Sequence, residues 1–184
     1  MKIVIASDSF KGSLSSTEVA DSLETGIRRV YPEAEILKLP VADGGEGTVD
    51  TLVSGLGGRL VTTEVVGPSG NIIESSFGIL PGGEAIIEMA AASGLTLVED
   101  GKFDPMNTTT FGTGQLILKA LEIGCRRLYI GIGGSATNDG GVGMAQALGV
   151  SFKDLSGNEL VFGGGALKYL ETIDNSGWTE LLDG

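Results

Sequence analysis

The stretch Gly133-Gly134-Ser135-Ala136-Thr137-Asn138-Asp139-Gly140-Gly141 decides how this chain is read. It sets bare backbone, two hydroxyls, an amide and a carboxylate between an apolar run, Leu128-Tyr129-Ile130-Gly131-Ile132, and a helical run, Met144 to Leu148, closed by Gly149. The apolar run reads as a buried strand, which makes the stretch a strand-to-helix corner. Glycine lets main-chain N–H groups approach an anion unobstructed, and a helix N-terminus adds partial positive charge. The corner is therefore expected to hold a phosphate or a carboxylate.

Part of the pattern occurs twice. Asp43-Gly44-Gly45-Glu46-Gly47 repeats the D-G-G-x-G spacing of Asp139-Gly140-Gly141-Val142-Gly143, and each precedes a helical segment. Such corners open at the carboxyl edge of a parallel sheet, where α/β proteins place their ligands, so two of them predict one shared cleft. The simpler reading makes Asp43 and Asp139 caps of the helices that follow.

Outward from these corners the chain alternates. Lys2 to Ala6 reads as a buried strand. Ser15 and Glu18 have capping-box spacing ahead of a helix with Val19, Leu23, Ile27 and Val30 on one face, ended by Tyr31-Pro32. Glu35 to Leu39 is the next strand, and Thr48 to Leu56 the next helix, stopped by Gly57-Gly58. This β-α-β-α opening predicts a parallel sheet. Arg59 to Val66, Asn71 to Leu80 and Glu84 to Met89, joined by Pro-Gly turns, read instead as an antiparallel meander of a second subdomain. A helix from about Gly114 to Ile123, a strand at Val150 to Lys153 and a helix around Ala166 to Leu170 follow. The expected division puts 1–58 and 100–150 in one α/β region, and 59–99 with 151–184 in part of a second, mixed α/β domain.

Composition narrows the chemistry. The 184 residues are 41% hydrophobic and 20% charged, which suits a globular domain with a real core. The net charge of −12 opposes binding to nucleic acid or anionic membranes, so a phosphorylated ligand needs local amides, a few lysines and a metal ion; Mg²⁺ suits an acidic cleft. One cysteine, Cys125, permits no internal disulfide and is expected as a small buried hydrophobe. With no signal-like segment and no long apolar run, the expected compartment is the cytoplasm. The absence of histidine removes Ser-His-Asp and Cys-His mechanisms and leaves base work to Asp, Glu or Lys. Phosphoryl transfer, mostly positioning and charge neutralisation, tolerates this.

Two more loops carry candidate groups. Asp8-Ser9-Phe10-Lys11-Gly12-Ser13 sets a lysine beside small hydroxylated residues just past the first strand. Lys11 can follow a moving phosphoryl group, and Asp8 can bind metal or accept a hydroxyl proton. This is not a Walker A loop, whose lysine ends a longer glycine-spaced run directly before its helix. Asn107-Thr108-Thr109-Thr110-Phe111-Gly112-Thr113-Gly114 enters a helix with four threonines, of which one can cap and the others are expected to reach substrate oxygens. A rival reading takes Gly131 to Ala136 as a G-x-G-x-x-A dinucleotide fingerprint with Asp154 about twenty residues on, which implies a nicotinamide or flavin oxidoreductase. Against it, Thr137 to Gly143 delays the helix that should begin within the motif.

Taken together, Ser7 to Ser16, Ala42 to Thr48, Asn107 to Gln115 and Gly133 to Gly141 resemble the bacterial glycerate kinase family, in order, from Met1 to about Asp174. The resemblance implies a flavodoxin-like parallel sheet with helices on both faces, joined to a domain likened to restriction endonucleases. It implies phosphorylation of D-glycerate with ATP and Mg²⁺. On that reading Lys11 steadies the transferring group, and Asp8 or Asp139 serves as base or metal ligand. Substrate and phosphate contacts fall to Ser9, Gly12, Ser13, Asp43, Gly44, Gly45, Glu46, Asn107, Thr108, Thr109, Gly133, Gly134, Ser135, Thr137 and Asn138. Family members are about twice as long, and this chain stops near Trp178 to Gly184, before the strand and loop that normally follow the Ile173-Asp174 region, so a homodimer, a partial fold or an inactive glycerate-binding module are further expectations.

Overall fold

Short strands bounded by glycine-rich turns, alternating with helices that carry one apolar face, give a layered α/β arrangement here. The computed structural model describes residues 1–10, 13–39, 41–99 and 101–182. Strand β1 (Lys2–Ile5) pairs in parallel with β2 (Glu35–Lys38), Lys2 opposite Glu35. The crossover between them is α1 (Ser16–Val30). Its start is fixed as expected: the Ser15 hydroxyl accepts from the Glu18 amide while the Glu18 carboxylate accepts from the Ser15 amide. Helix α2 (Thr48–Leu56) follows and ends at Gly57, left-handed at φ 70°.

The meander is present as β3 (Arg59–Val66), β4 (Ile72–Ile79) and β5 (Ala85–Glu88). It does not stand apart. β5 pairs in parallel with β6 (Leu128–Gly131), so 59–99 and 100–150 share one four-stranded sheet in the order β3-β4-β5-β6. The short α3 (Ala90–Ser93) and the long α4 (Phe111–Ile123) lie between β5 and β6 in the chain; α5 (Val142–Ala147) follows β6. β7 (Ser151–Lys153) and β8 (Thr172–Asp174) form a separate antiparallel pair, and the helix expected near Ala166 is a 3-10 turn, Gly164–Tyr169. Among the described residues no helix is long and apolar enough to cross a membrane.

The side-chain alternation of β5 makes the layers. Ala85 and Ile87 join Val65, Phe77, Leu116, Ile117, Ala120 and Leu121 in the main core, under α4. Ile86 joins Val49 and Val53 of α2 on the other face. The sheet is thus covered by a helix on each side. Both helices come close because a side chain is missing: a Cβ on Gly78 would strike Val53, and one on Gly112 would strike the Val66 carbonyl. Cys125 lies in the main core, as a small hydrophobe should.

Two expectations of burial fail. β6 borders the sheet, and Tyr129, Ile130 and Ile132 are exposed while Leu128 packs on the core. Val4 of β1 is exposed as well. An apolar run signals a strand, but whether both faces are covered depends on what packs on it.

Leu116 is fully buried at the centre of α4. Leu116→Ala is expected to cost about 2–5 kcal/mol, read as a lower urea midpoint with an unchanged slope.

Candidate active site

Within each parallel pair, β1–β2 and β5–β6, the strands run the same way, and three of the loops singled out by sequence follow their carboxyl ends: Asp8 to Ser13 after β1, the Asp43 corner after β2, and the glycine corner after β6. The two Asp-Gly-Gly corners meet directly. The Gly133 amide donates to the Gly44 carbonyl at 3.0 Å. A Cβ on Gly131 would collide with the Gly44 carbonyl, and one on Gly133 would lie 2.9 Å from the Gly45 backbone. These glycines therefore serve backbone-to-backbone contact between the corners.

On one side of this seam lies a cleft of about 440 Å³ lined by Ser9, Phe10, Ser13, Ser15, Glu46, Gly47, Asp50 and Glu88. A smaller space of about 190 Å³ shares Ser9, Ser15, Glu46 and Asp50 with it and adds Asp8, Ser16, Thr17 and Thr51. The starts of α1 and α2 face each other across it, linked by a 3.0 Å bond between the Ser16 and Thr51 hydroxyls. The start of α1 and the hydroxyls of Ser9, Ser15, Ser16 and Thr17 suit an anionic ligand, whereas the start of α2 already receives a carboxylate of the protein, Glu88. Asp8 accepts from the Ser9 amide. Lys11 and Gly12 lie outside the described residues.

On the other side is a cleft of about 360 Å³ lined by the apolar Met89, Ile130, Ile132 and Met144 and by Thr110, Thr113, Thr137, Asn138 and Asp139. The loops thus line two neighbouring spaces rather than the single cleft expected.

Several expected ligand groups are engaged within the protein. Asp139 is 2% exposed, and its oxygens accept from the Thr110 hydroxyl and the amides of Thr110, Gly141 and Gly143. It ties the start of α4 to that of α5. The threonines are also committed: Thr108 donates to the Ala136 carbonyl, Thr109 is fully buried with its hydroxyl accepting from the Phe111 amide, and the Thr113 hydroxyl bonds Ser93. The helix starts at Phe111, and Thr108 ties this loop to the glycine corner while Thr110 lines the cleft beside it. Ser135 accepts from the Thr137 amide, the Gly134 carbonyl accepts from Leu95, and the exposed Asn107 donates to Asp104. In the first corner the Gly45 amide goes to Asp43 and the Gly44 amide to the Thr48 hydroxyl. Neither aspartate is an N-cap residue; those places belong to Gly47 and Gly141.

Glu88 is one cleft residue that sequence reasoning missed. It ends β5, whose four positions are all buried, and its carboxylate accepts from the Gly47 amide at 3.3 Å and the Val49 amide at 3.0 Å. Burial pushes its carboxyl above the ordinary value near 4.5, with the Val49 and Gly47 amides pulling back and Asp50 adding to the rise. The signal was present as a lone charge closing the apolar run Ala85-Ile86-Ile87-Glu88. Asp50 was missed too, since nothing in the sequence says which side of α2 faces the cleft.

The dinucleotide geometry is not formed. β6 ends at Gly131 and α5 begins only at Val142, while Asp154 follows a strand of the separate β7–β8 pair and accepts from its own turn at Ser156 and Asn158.

Asp139→Asn places an amide N–H among donors and should cost about 1–3 kcal/mol, read by chemical denaturation. For Glu88 the native carboxyl holds its proton more tightly than the unfolded one. Between those two values the native state binds more protons, so this group's contribution to stability falls as pH rises from about 4.5 and levels off above the native value. The stability difference between wild type and Glu88→Gln, followed by denaturation from pH 4 upward, should show that slope.

The sequence pattern of the Glycerate kinase family matches residues 3–184. The chain is 57% identical over 178 residues to a Bacillus subtilis protein named glycerate kinase, covering 96% of this chain and 47% of that one. It is 55% identical, with the same coverage, to an Escherichia coli protein named glycerate 2-kinase. A crystal structure of a candidate glycerate kinase 2 from Salmonella typhimurium LT2 superposes with a TM-score of 0.81 at 52% identity, over 97% of this chain and 48% of that one. The chain spans about half the length of the curated relatives it matches. Matched by the family's pattern over nearly its whole length and more than half identical to these relatives, the chain belongs to the glycerate kinase family.

Proposed function

We propose that the chain forms the substrate-binding half of an enzyme that transfers the γ-phosphoryl group of ATP to a hydroxyl of D-glycerate. What carries this reading is the convergence of the first loop, the Asp43 corner and the starts of α1 and α2 on one hydroxyl-rich cleft, in a chain of this family. Glycerate is small and anionic, and a cleft lined by hydroxyls at the start of α1 suits it. The neighbouring space, lined by Met89, Ile130, Ile132 and Met144, suits the bulkier nucleotide.

Asp8 is the carboxylate assigned to accept the hydroxyl proton. It borders the cleft, whereas Asp139 spends its oxygens on four protein donors. Lys11, in the same loop, is assigned to the transferring group. Mg²⁺ fits the hard oxygen donors of Asp8, Glu46 and Asp50. Among the described residues no three such groups gather into a cage, and Mg²⁺ needs only one or two carboxylates beside substrate phosphates. When bound it neutralises charge on the phosphates.

The test is a coupled assay with D-glycerate and Mg·ATP, the product resolved as 2- or 3-phosphoglycerate by NMR. Phosphoglycerate formation is expected, with Lys11→Ala lowering kcat by about 100-fold or more. Glycerate binding by calorimetry without any product would instead favour a non-catalytic glycerate-binding module. Near-normal turnover in Lys11→Ala removes that lysine from the mechanism.

A further inference from the structure

We propose, resting on the phosphotransfer reading, that Glu88 is a positioning residue: its carboxylate reaches from the end of β5 to hold the Glu46–Gly47 turn and the start of α2 as one wall of the substrate cleft. The need arises locally. Gly47 is the N-cap of α2 and sits at φ 88°, in the left-handed region, where a side chain would be strained and glycine has none to offer as a cap. The first-turn amides, which every helix leaves unpaired, must find acceptors elsewhere. The Gly47 and Val49 amides find them on Glu88, 41 and 39 residues away along the chain.

A serine or aspartate within the turn would cap a helix with no buried charge. A carboxylate brought from a fully buried strand carries a desolvation cost that a local cap avoids. What the distant carboxylate adds is location. It fixes the turn carrying Glu46 and the first turn of α2 carrying Asp50 relative to β5, and Glu88 itself lines the cleft with them. The next residue, Met89, lines the second space, so one strand end sets the distance between the two. A reaction that depends on bringing two ligands together at fixed separation is sensitive to such a tether.

The experiment compares wild type, Glu88→Ala, Glu88→Gln and Val53→Ala in the full protein. Val53 is buried on the same helix, is not among the residues lining either cleft, and its truncation loosens α2 while leaving the Gly47 and Val49 amide bonds in place. Each variant is assayed for kcat and glycerate KM at a temperature where its melting curve shows it folded. The Gly47 and Val49 amides are followed by ¹H–¹⁵N NMR. Glu88→Ala should lower kcat/KM roughly tenfold or more and shift both amide signals upfield. Glu88→Gln, keeping one acceptor oxygen, should fall between, and Val53→Ala should keep wild-type kinetics despite its lower melting temperature. Glu88→Ala behaving kinetically like Val53→Ala overturns the inference while leaving the phosphotransfer reading intact. So do Gly47 and Val49 signals that ignore the substitution. Wild type that makes no phosphoglycerate overturns the reading itself, and the inference with it.

Discussion

The contact of Gly44-Gly45 with Gly131 and Gly133 is the constraint on which the rest of the site depends. Two strand-to-helix corners, one after β2 and one after β6, approach until backbone touches backbone, with one main-chain hydrogen bond across the seam. A single Cβ at Gly131 would meet a carbonyl oxygen, which cannot swing aside as a side chain can. That seam sets the β1–β2 pair against the four-stranded sheet, and the two clefts open on either side of it.

Around the seam, buried carboxylates do what the glycines cannot. Asp139 gathers amides from the starts of α4 and α5, and Glu88 gathers them from the start of α2. Each satisfies helix-end donors that would otherwise be costly to bury, and each joins an element distant in the chain. Amides that look ready for an anion in the linear pattern are consequently spoken for. Recognition of a charged ligand shifts to the hydroxyls and helix start around Ser9, Ser15, Ser16 and Thr17.

Much of this was legible because local rules were strong. The capping box at Ser15 and Glu18, the left-handed stop at Gly57 and the turns of the meander appear where their residues called for them. The site was less legible. A threonine before a helix carries no mark telling whether its hydroxyl meets substrate or a neighbouring carbonyl, and Thr108 and Thr110 met protein. Glu88 announced itself only as a charge out of place in an apolar strand.

From the linear order alone came the alternation of elements, the carboxyl-edge loops, the exclusion of histidine chemistry and the likeness to a kinase family, since each rests on spacing or residue type. Only the tertiary structure decided that β5 and β6 join the meander to the parallel strands, that β6 keeps an exposed face, and that Asp139 turns inward while Glu88 borders a cleft. Those outcomes follow from which surfaces and donors meet across tens of residues, and neither periodicity nor motif encodes that meeting.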